Sequence, residues 1–259
     1  MTPTAQEIIE RVKALYAGCR SYEDTGERTR VMIRGPKPWH RTTTRQRFNT
    51  AFIRDASFRF EGREVGVGPE DEWPRSAVWL NSRGVFRWDS NVNEVPREIT
   101  KSTSALVLRI AFVGIVNEPS AYKIPSLLLP ELAFRQPWSP ASEPMRVDEA
   151  HLDGVACFVI DSTFQDRARR SWIEQEALLV RRISDRTVFD ERSRQNMISS
   201  FESELASSDL EAQRRHTLAQ ALELTRQPSD PFVVEETTTW TPRMDIDIDR
   251  KVFEFVEPG

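Results

Sequence analysis

Between Thr4 and Ala17 the apolar residues Ile8, Ile9, Val12, Leu15 and Tyr16 recur at helical spacing, and Glu7, Glu10, Arg11 and Lys13 hold the other side. This predicts an amphipathic helix. Thr4 stands where an N-cap belongs, and Gly18 where a C′ glycine would turn the chain out of the helix. From Tyr22 the period falls to two. Short runs at 22–34, 45–54, 57–63, 76–81 and 84–89 are rich in aromatic or β-branched residues and closed by Gly, Asn or Asp. Within them Phe48 and Phe52 share a face, as do Phe58 and Phe60, and Asn81-Ser82-Arg83-Gly84 reads as a hairpin turn. Strands so spaced form an antiparallel meander, not a parallel βαβ sheet.

Beyond Val95 the pattern changes. The segment 96–114, with Ile99, Leu106, Leu108, Ile110 and Phe112, reads as a helix apolar over more than half its circumference, and 120–129 as a second, shorter one ending at Pro130. Residues 136–143 are rich in Pro and Ser and read as a loop. Strands resume at 145–152, 155–164, 169–174 and 178–189, with turns at Asp153-Gly154 and Gln175-Glu176. From Asp190 to Leu224 the period is helical again, broken near Ser207-Ser208-Asp209 and ended by Pro228 and Pro231. A strand at 233–241 follows, and 245–256 is expected to close the chain as a further strand or edge segment. The simplest assembly is α+β: one curved, open antiparallel sheet with helices packed on one face. All of 1–259 then forms a single domain, with a helical hairpin inserted at about 190–228.

Composition narrows the function more than the fold. A formal charge of −4 supplies no field for nucleic acid, and lysine is scarce, five against thirty-one arginines. The arginines are read as interleaved with Asp and Glu along the chain, a solvated mixed-charge surface. No run of eighteen apolar residues occurs, so no membrane span is expected. The first residues have neither a basic n-region nor an apolar h-region. A periplasmic protein would therefore need a leader missing from this sequence; otherwise the cytoplasm is expected. Cys19 and Cys157 are expected to be two separate buried thiols.

Catalytic chemistry is not written in recognisable form. His40, His151 and His216 lie in a loop, at a strand end and on a polar helix side, and each reads as a surface histidine. No G-x-S-x-G, H-E-x-x-H or Walker-type motif occurs. Asp245-Ile246-Asp247-Ile248-Asp249 lacks the Gly and Glu of a calcium loop and reads as an edge strand with an acidic face. No catalytic residue, cofactor or metal ligand is assigned, and no enzyme is expected.

Several motifs carry a family resemblance. They are Tyr16-Ala17-Gly18-Cys19-Arg20-Ser21-Tyr22, Phe48-Asn49-Thr50-Ala51-Phe52, Phe58-Arg59-Phe60-Glu61, Ile124-Pro125-Ser126-Leu127-Leu128-Leu129-Pro130, Leu152-Asp153-Gly154-Val155-Ala156-Cys157-Phe158 and Glu235-Glu236-Thr237-Thr238-Thr239-Trp240. Together they resemble the outer-membrane lipoprotein-sorting proteins related to the LolA-like lipoprotein carriers of bacteria. The resemblance covers most of the chain outside 190–228. It implies a strongly curved half-barrel whose concave, apolar face is covered by helices and holds acyl chains. Two functional readings follow. One is a non-enzymatic carrier or binding protein for lipid or a lipidated protein. The other is a solid-core interaction module of the cell envelope, binding a protein partner through an edge strand or the helical hairpin. Under the first, the cavity is expected to be lined by Phe48, Phe52, Phe58, Phe60, Phe86, Trp88, Phe158, Ile160 and Trp172 from the strands, and by Leu106, Ile110, Leu127 and Leu128 from the cover.

Overall fold

The computed structural model describes residues 3–54, 57–66, 68–70, 73–90, 96–100, 123–130, 138, 142–164, 167–206, 212–226 and 230–254. Among them, eleven strands make one sheet: β1 (Ser21–Ile33), β2 (Arg41–Ile53), β3 (Ser57–Glu64), β4 (Arg75–Asn81), β5 (Gly84–Asp89), β6 (Arg97–Thr100), β7 (Met145–Leu152), β8 (Val155–Phe164), β9 (Arg167–Glu174), β10 (Val180–Phe189) and β11 (Phe232–Met244). Their order is β6-β5-β4-β3-β2-β1-β11-β10-β9-β8-β7. Two antiparallel meanders are thus joined where the last strand slots between β1 and β10. β6 and β7 are the two edges of this open half-barrel, which does not close on itself. The turns are those the residues favour: Asp153 and Gly154 both take positive φ between β7 and β8, as Gly84 does at the start of β5.

The chain forms two compact units, one of Met1–Arg30, Thr44–Asp185 and Glu236–Gly259, the other of Val31–Thr43 and Arg186–Glu235. In the first, α1 (Ala5–Gly18) and the single turn α2 (Pro125–Leu128) cover one sheet face. Thr4 and Glu7 close a capping box: the Glu7 N–H donates to Thr4 Oγ1 at 3.2 Å, and the Thr4 N–H to Glu7 Oε2 at 2.7 Å. The helix buries Ile8, Ile9, Val12 and Tyr16 against the strands, each such apolar side chain contributing about 1.5–3 kcal/mol. Gly18 is not used as predicted. It is the last helical residue, and the chain leaves through Cys19 in extended backbone. Cys19 and Cys157 are free, buried thiols.

In the second unit, α3 (Glu191–Leu205) and α4 (Ala212–Arg226) are two helices. Asp190 caps α3 by accepting from the Ser193 N–H at 2.8 Å, and Arg226 of α4 reaches Glu202 of α3 at 2.8 Å. Phe189 and Phe232 stack at 4.6 Å at the base of the pair. No described helix in the chain is long and apolar enough to cross a membrane.

Two further expectations need correcting. Residues 97–100, expected to begin a helix, form β6 because β5 offers them a free edge: Val85 pairs with Thr100 and Phe86 with Glu98. The rest of that expected helix, with Leu106 and Ile110, lies outside the described residues. The segment after β11 is not a strand either. Asp245 adopts the left-handed conformation, φ 54°, and ends the extension, with its N–H donating to Ser21 O at 2.9 Å. The alternation survives without a ladder: Asp245, Asp247 and Asp249 are exposed, Ile246 and Ile248 half-buried, and Asp249 caps a 3-10 turn at Arg250–Phe253.

Candidate functional site

β2, β3 and β4 place their inward residues by simple register. Phe52 pairs with Phe58 and Thr50 with Phe60, while Phe58 and Phe60 pair in turn with Leu80 and Val78. The rings of Phe48 and Phe60 stack at 5.8 Å, and Phe48 meets Trp240 of β11 edge-on at 6.2 Å. Gly26 makes room for this: a Cβ there would overlap the Phe48 ring and lie 2.5 Å from Thr239 O. From β8 and β9 come Phe158, Ile160 and Ile173, and from the covering elements Ile8, Val12, Tyr16, Leu127 and Leu128. These residues form one packed cluster.

Along this face polarity changes with level. Phe158 pairs with Ile173, Ile160 with Ser171 and Ser162 with Arg169, so β8 and β9 run from apolar to charged. β10 runs likewise from Ile183 to Asp185, and β11 from Trp240 through Thr238 to Glu236. The charged ends meet. Arg169 Nε donates to Asp185 Oδ1 at 2.7 Å, and Arg28 of β1 to Glu236 Oε2 at 2.6 Å. Lys123, 1% exposed and just ahead of α2, bridges Asp185 Oδ2 at 2.9 Å and Glu236 Oε1 at 3.1 Å. Burial alone would raise the Asp185 carboxyl, but Lys123 and Arg169 outweigh it and bring it down to about 2. Glu236 is lowered in the same way, Lys123 and Arg28 overcoming its burial.

Arg54, following the last residue of β2, caps the covering elements. Its guanidinium donates to Cys19 O at 3.0 Å, Tyr16 O at 2.9 Å and Leu128 O at 3.0 Å, satisfying carbonyls that the helix ends leave open. Trp138 Nε1 donates to Lys123 O at 2.8 Å. Asp24 is different in kind. It is 1% exposed, accepting from Tyr22 Oη at 2.7 Å and from the Thr50 N–H at 3.1 Å. Burial pushes its carboxyl up to about 7, and those hydrogen bonds offset only part of the rise.

Among the described residues, the space between α1, Trp138, β8 and β9 amounts to about 10 Å³, at the lower limit for one water. A groove of about 510 Å³ opens over β1, β2 and β11 and is lined largely by polar groups such as Glu27, Arg47, Arg63 and Glu70.

Of the residues expected to line a cavity, Phe48, Phe52, Phe58, Phe60, Phe158, Ile160, Leu127 and Leu128 lie in the packed cluster. Phe86 and Trp88 lie on the opposite face with Ala77 and Trp79, because Trp79 pairs with Phe86 and Ala77 with Trp88; Val85 is the inward residue of β5. Trp172 also faces the other way, paired with Val159 and lying 5.5 Å beneath the Arg182 guanidinium. Sequence reasoning passed over Arg28, Lys123, Arg169, Asp185 and Glu236. A signal was present in β1, where Tyr22, Asp24 and Arg28 share one face. Among the described residues no group of three or more His, Cys, Asp or Glu is placed to hold a metal. His151 and His216 are exposed and His40 is half-buried.

No family model matches the sequence, and no curated protein does. Solved structures do. The chain is similar to LprF from Mycobacterium bovis at 9% identity, covering 95% of this chain and 94% of that one, with a TM-score of 0.45. It is similar to a putative outer membrane lipoprotein-sorting protein domain from Vibrio parahaemolyticus at 10% identity, covering 95% and 94%, with a TM-score of 0.31. A LolA superfamily protein from Nitrosomonas europaea matches at 10% identity over 98% and 99%, with a TM-score of 0.29.

Proposed function

We propose that the protein is a non-enzymatic binding or carrier protein of the bacterial cell envelope, taking lipid or the acyl chain of a lipidated protein on the face beneath α1 and α2. The observation that carries this is the polarity gradient along that face, apolar at Phe158, Ile173 and Trp240 and charged at Arg28, Arg169, Asp185 and Glu236. An amphiphile is divided in the same way. Its chain would gain about 0.8 kcal/mol for each CH₂ buried at the apolar end, while its polar head meets the charged end. Admission requires the cover to move, since small-ligand sites measure about 300–1,000 Å³. The element suited to moving is α2, a single turn fixed by the Lys123 ion pairs and the bond from Arg54 to Leu128 O. The test is lipid extraction and native mass spectrometry on gently purified protein, followed by titration with a fluorescent fatty acid. Co-purified acyl lipid, or saturable uptake of the probe, is expected. Protein that purifies empty and takes up no probe would sink the proposal.

The tight packing under α1 favours a second reading, in which the core stays closed and a protein partner binds. The partner would add a strand at the edge β7, where Met145 is 68% exposed, or dock on the α3–α4 pair. Empty protein that captures an envelope protein through β7 or the helical pair would decide for it.

A further inference from the structure

The connection between β1 and β2 departs from the interleaved charge of the rest of the chain. From Arg28 to Arg54 the sequence holds eight arginines and lysines and no Asp or Glu, in a protein of net charge −4. At the turn of this hairpin Arg34, Lys37 and Arg41 are exposed, and among the described residues none of the three forms an ion pair. Between them stands Trp39, 73% exposed. Its ring contacts are local: Lys37 Nζ lies 5.1 Å over it and His40 meets it edge-on at 6.0 Å.

The turn is built to hold this arrangement. The Arg34 N–H donates to His40 O at 2.9 Å and the His40 N–H to Lys37 O at 2.9 Å, closing the loop around a 3-10 turn at Pro38–His40. Pro36 and Pro38 restrict the backbone, and Gly35 leaves room for the imidazole, since a Cβ there would overlap His40 Nδ1. A preorganised loop therefore presents an indole ring to solvent with Lys37 over it and exposed arginines, Arg34 and Arg41, on either side of it in sequence.

We infer that this hairpin turn is a docking surface for an anionic phospholipid bilayer, Trp39 entering the headgroup region while Arg34, Lys37 and Arg41 meet lipid phosphates. Tryptophan favours the membrane interface because its ring is apolar and its N–H polar, and basic residues beside it add attraction to anionic lipid. The alternative polyanion, single-stranded nucleic acid, is bound in grooves with several aromatic platforms; here one ring stands at a turn. This inference does not depend on what the sheet face carries.

The experiment is co-sedimentation of the full chain with vesicles of phosphatidylcholine alone and with equal parts of phosphatidylglycerol, at low and high salt. Binding is expected only to the anionic vesicles and only at low salt. Neutralising one basic residue, as in Lys37→Gln or Arg41→Gln, is expected to weaken it about fivefold, the factor that about 1 kcal/mol per basic residue corresponds to. Trp39→Ala is expected to weaken it further. All three side chains are exposed, so thermal melting of the variants should match the parent. No binding to anionic vesicles would overturn the inference, as would binding unchanged in the double variant Lys37→Gln, Arg41→Gln. Tighter binding to an oligonucleotide than to anionic vesicles, lost in the same variant, would overturn it in favour of nucleic acid.

Discussion

The substitution Asp24→Asn isolates one buried charge whose effect on stability can be worked out. In the folded protein the Asp24 carboxyl titrates at about 7, against 3.8 for the ordinary side chain, because burial disfavours the carboxylate. Its folded pKa is raised, so the folded state holds a proton that the unfolded state has lost between those two values. The associated stability is fully present below about pH 4, declines as pH rises through 7, and is gone above it. The interval from 3.8 to about 7, at about 1.36 kcal/mol per pH unit, makes the loss roughly 4 kcal/mol between pH 4 and pH 8. The amide is neutral throughout and keeps an oxygen for the Thr50 N–H, so it resembles the protonated acid. The difference in unfolding free energy, variant minus parent, should be near zero below about pH 4 and reach several kcal/mol in favour of the variant at pH 8. Urea unfolding at closely spaced pH values measures it. Asp185 does not confuse the comparison: its lowered carboxyl supplies stability that is present above about pH 4 and lost as pH falls towards 2, equally in both proteins. Parallel pH profiles for the two proteins would refute the reasoning, since Asp24 would then not titrate in this window.

Two further variants probe the same face. Gly26→Ala should lower the thermal midpoint, with a loss of about 1–3 kcal/mol for overpacking, because its new Cβ would meet the Phe48 ring and Thr239 O; an unchanged midpoint would show that Phe48 has room to move. Lys123→Met should cost about 1–3 kcal/mol in denaturant unfolding, since Asp185 and Glu236 each lose a buried charge-assisted hydrogen bond while keeping Arg169 and Arg28 as partners. If the proposed function holds, loosened α2 should also speed uptake of the fluorescent fatty acid in stopped-flow mixing.

The strands and α1 were legible because each is a local pattern: alternation closed by Gly, Asn or Asp, or apolar spacing behind a Thr cap. Residues 97–100 read as helix because Pro96 suits a helix start, whereas the open edge of β5 decided the outcome. The facing of Phe86 and Trp88 was not legible because β4 carries large buried residues on both sides, Val78 on one and Trp79 on the other. What covers the second side lies far along the chain: the turn at Arg250–Phe253, tied by Arg59 to Val252 O at 3.1 Å and by Asn81 to Phe253 O at 3.1 Å. The ion cluster was hidden for a similar reason. Arg28, Lys123, Arg169, Asp185 and Glu236 stand on separate segments, so no spacing announces them; only the strand order brings them together.

The two covering elements differ in what fixes them, and the difference bears on function. α1 has fourteen residues, a capping box and five buried residues, so its own helix and its packing hold it in place. α2 is a single turn, well short of the length at which a helix persists alone. Its position must come from its attachments, the buried Ile124, Leu127 and Leu128 together with Lys123 and the bond from Arg54. Apolar burial alone would hold a turn as firmly, because a buried ion pair is often no more stabilising than well-packed apolar side chains. What the ions add is direction. Lys123 meets its carboxylates only in one placement of α2, and under the proposed function an anionic lipid head arriving at Arg28 and Arg169 would compete with Glu236 and Asp185 for those guanidiniums and so loosen the carboxylates that hold Lys123. Under the proposed function, an exchangeable polar fastening on the smaller cover, beside an apolar one on the larger, is what would let this face open over an amphiphile without losing α1.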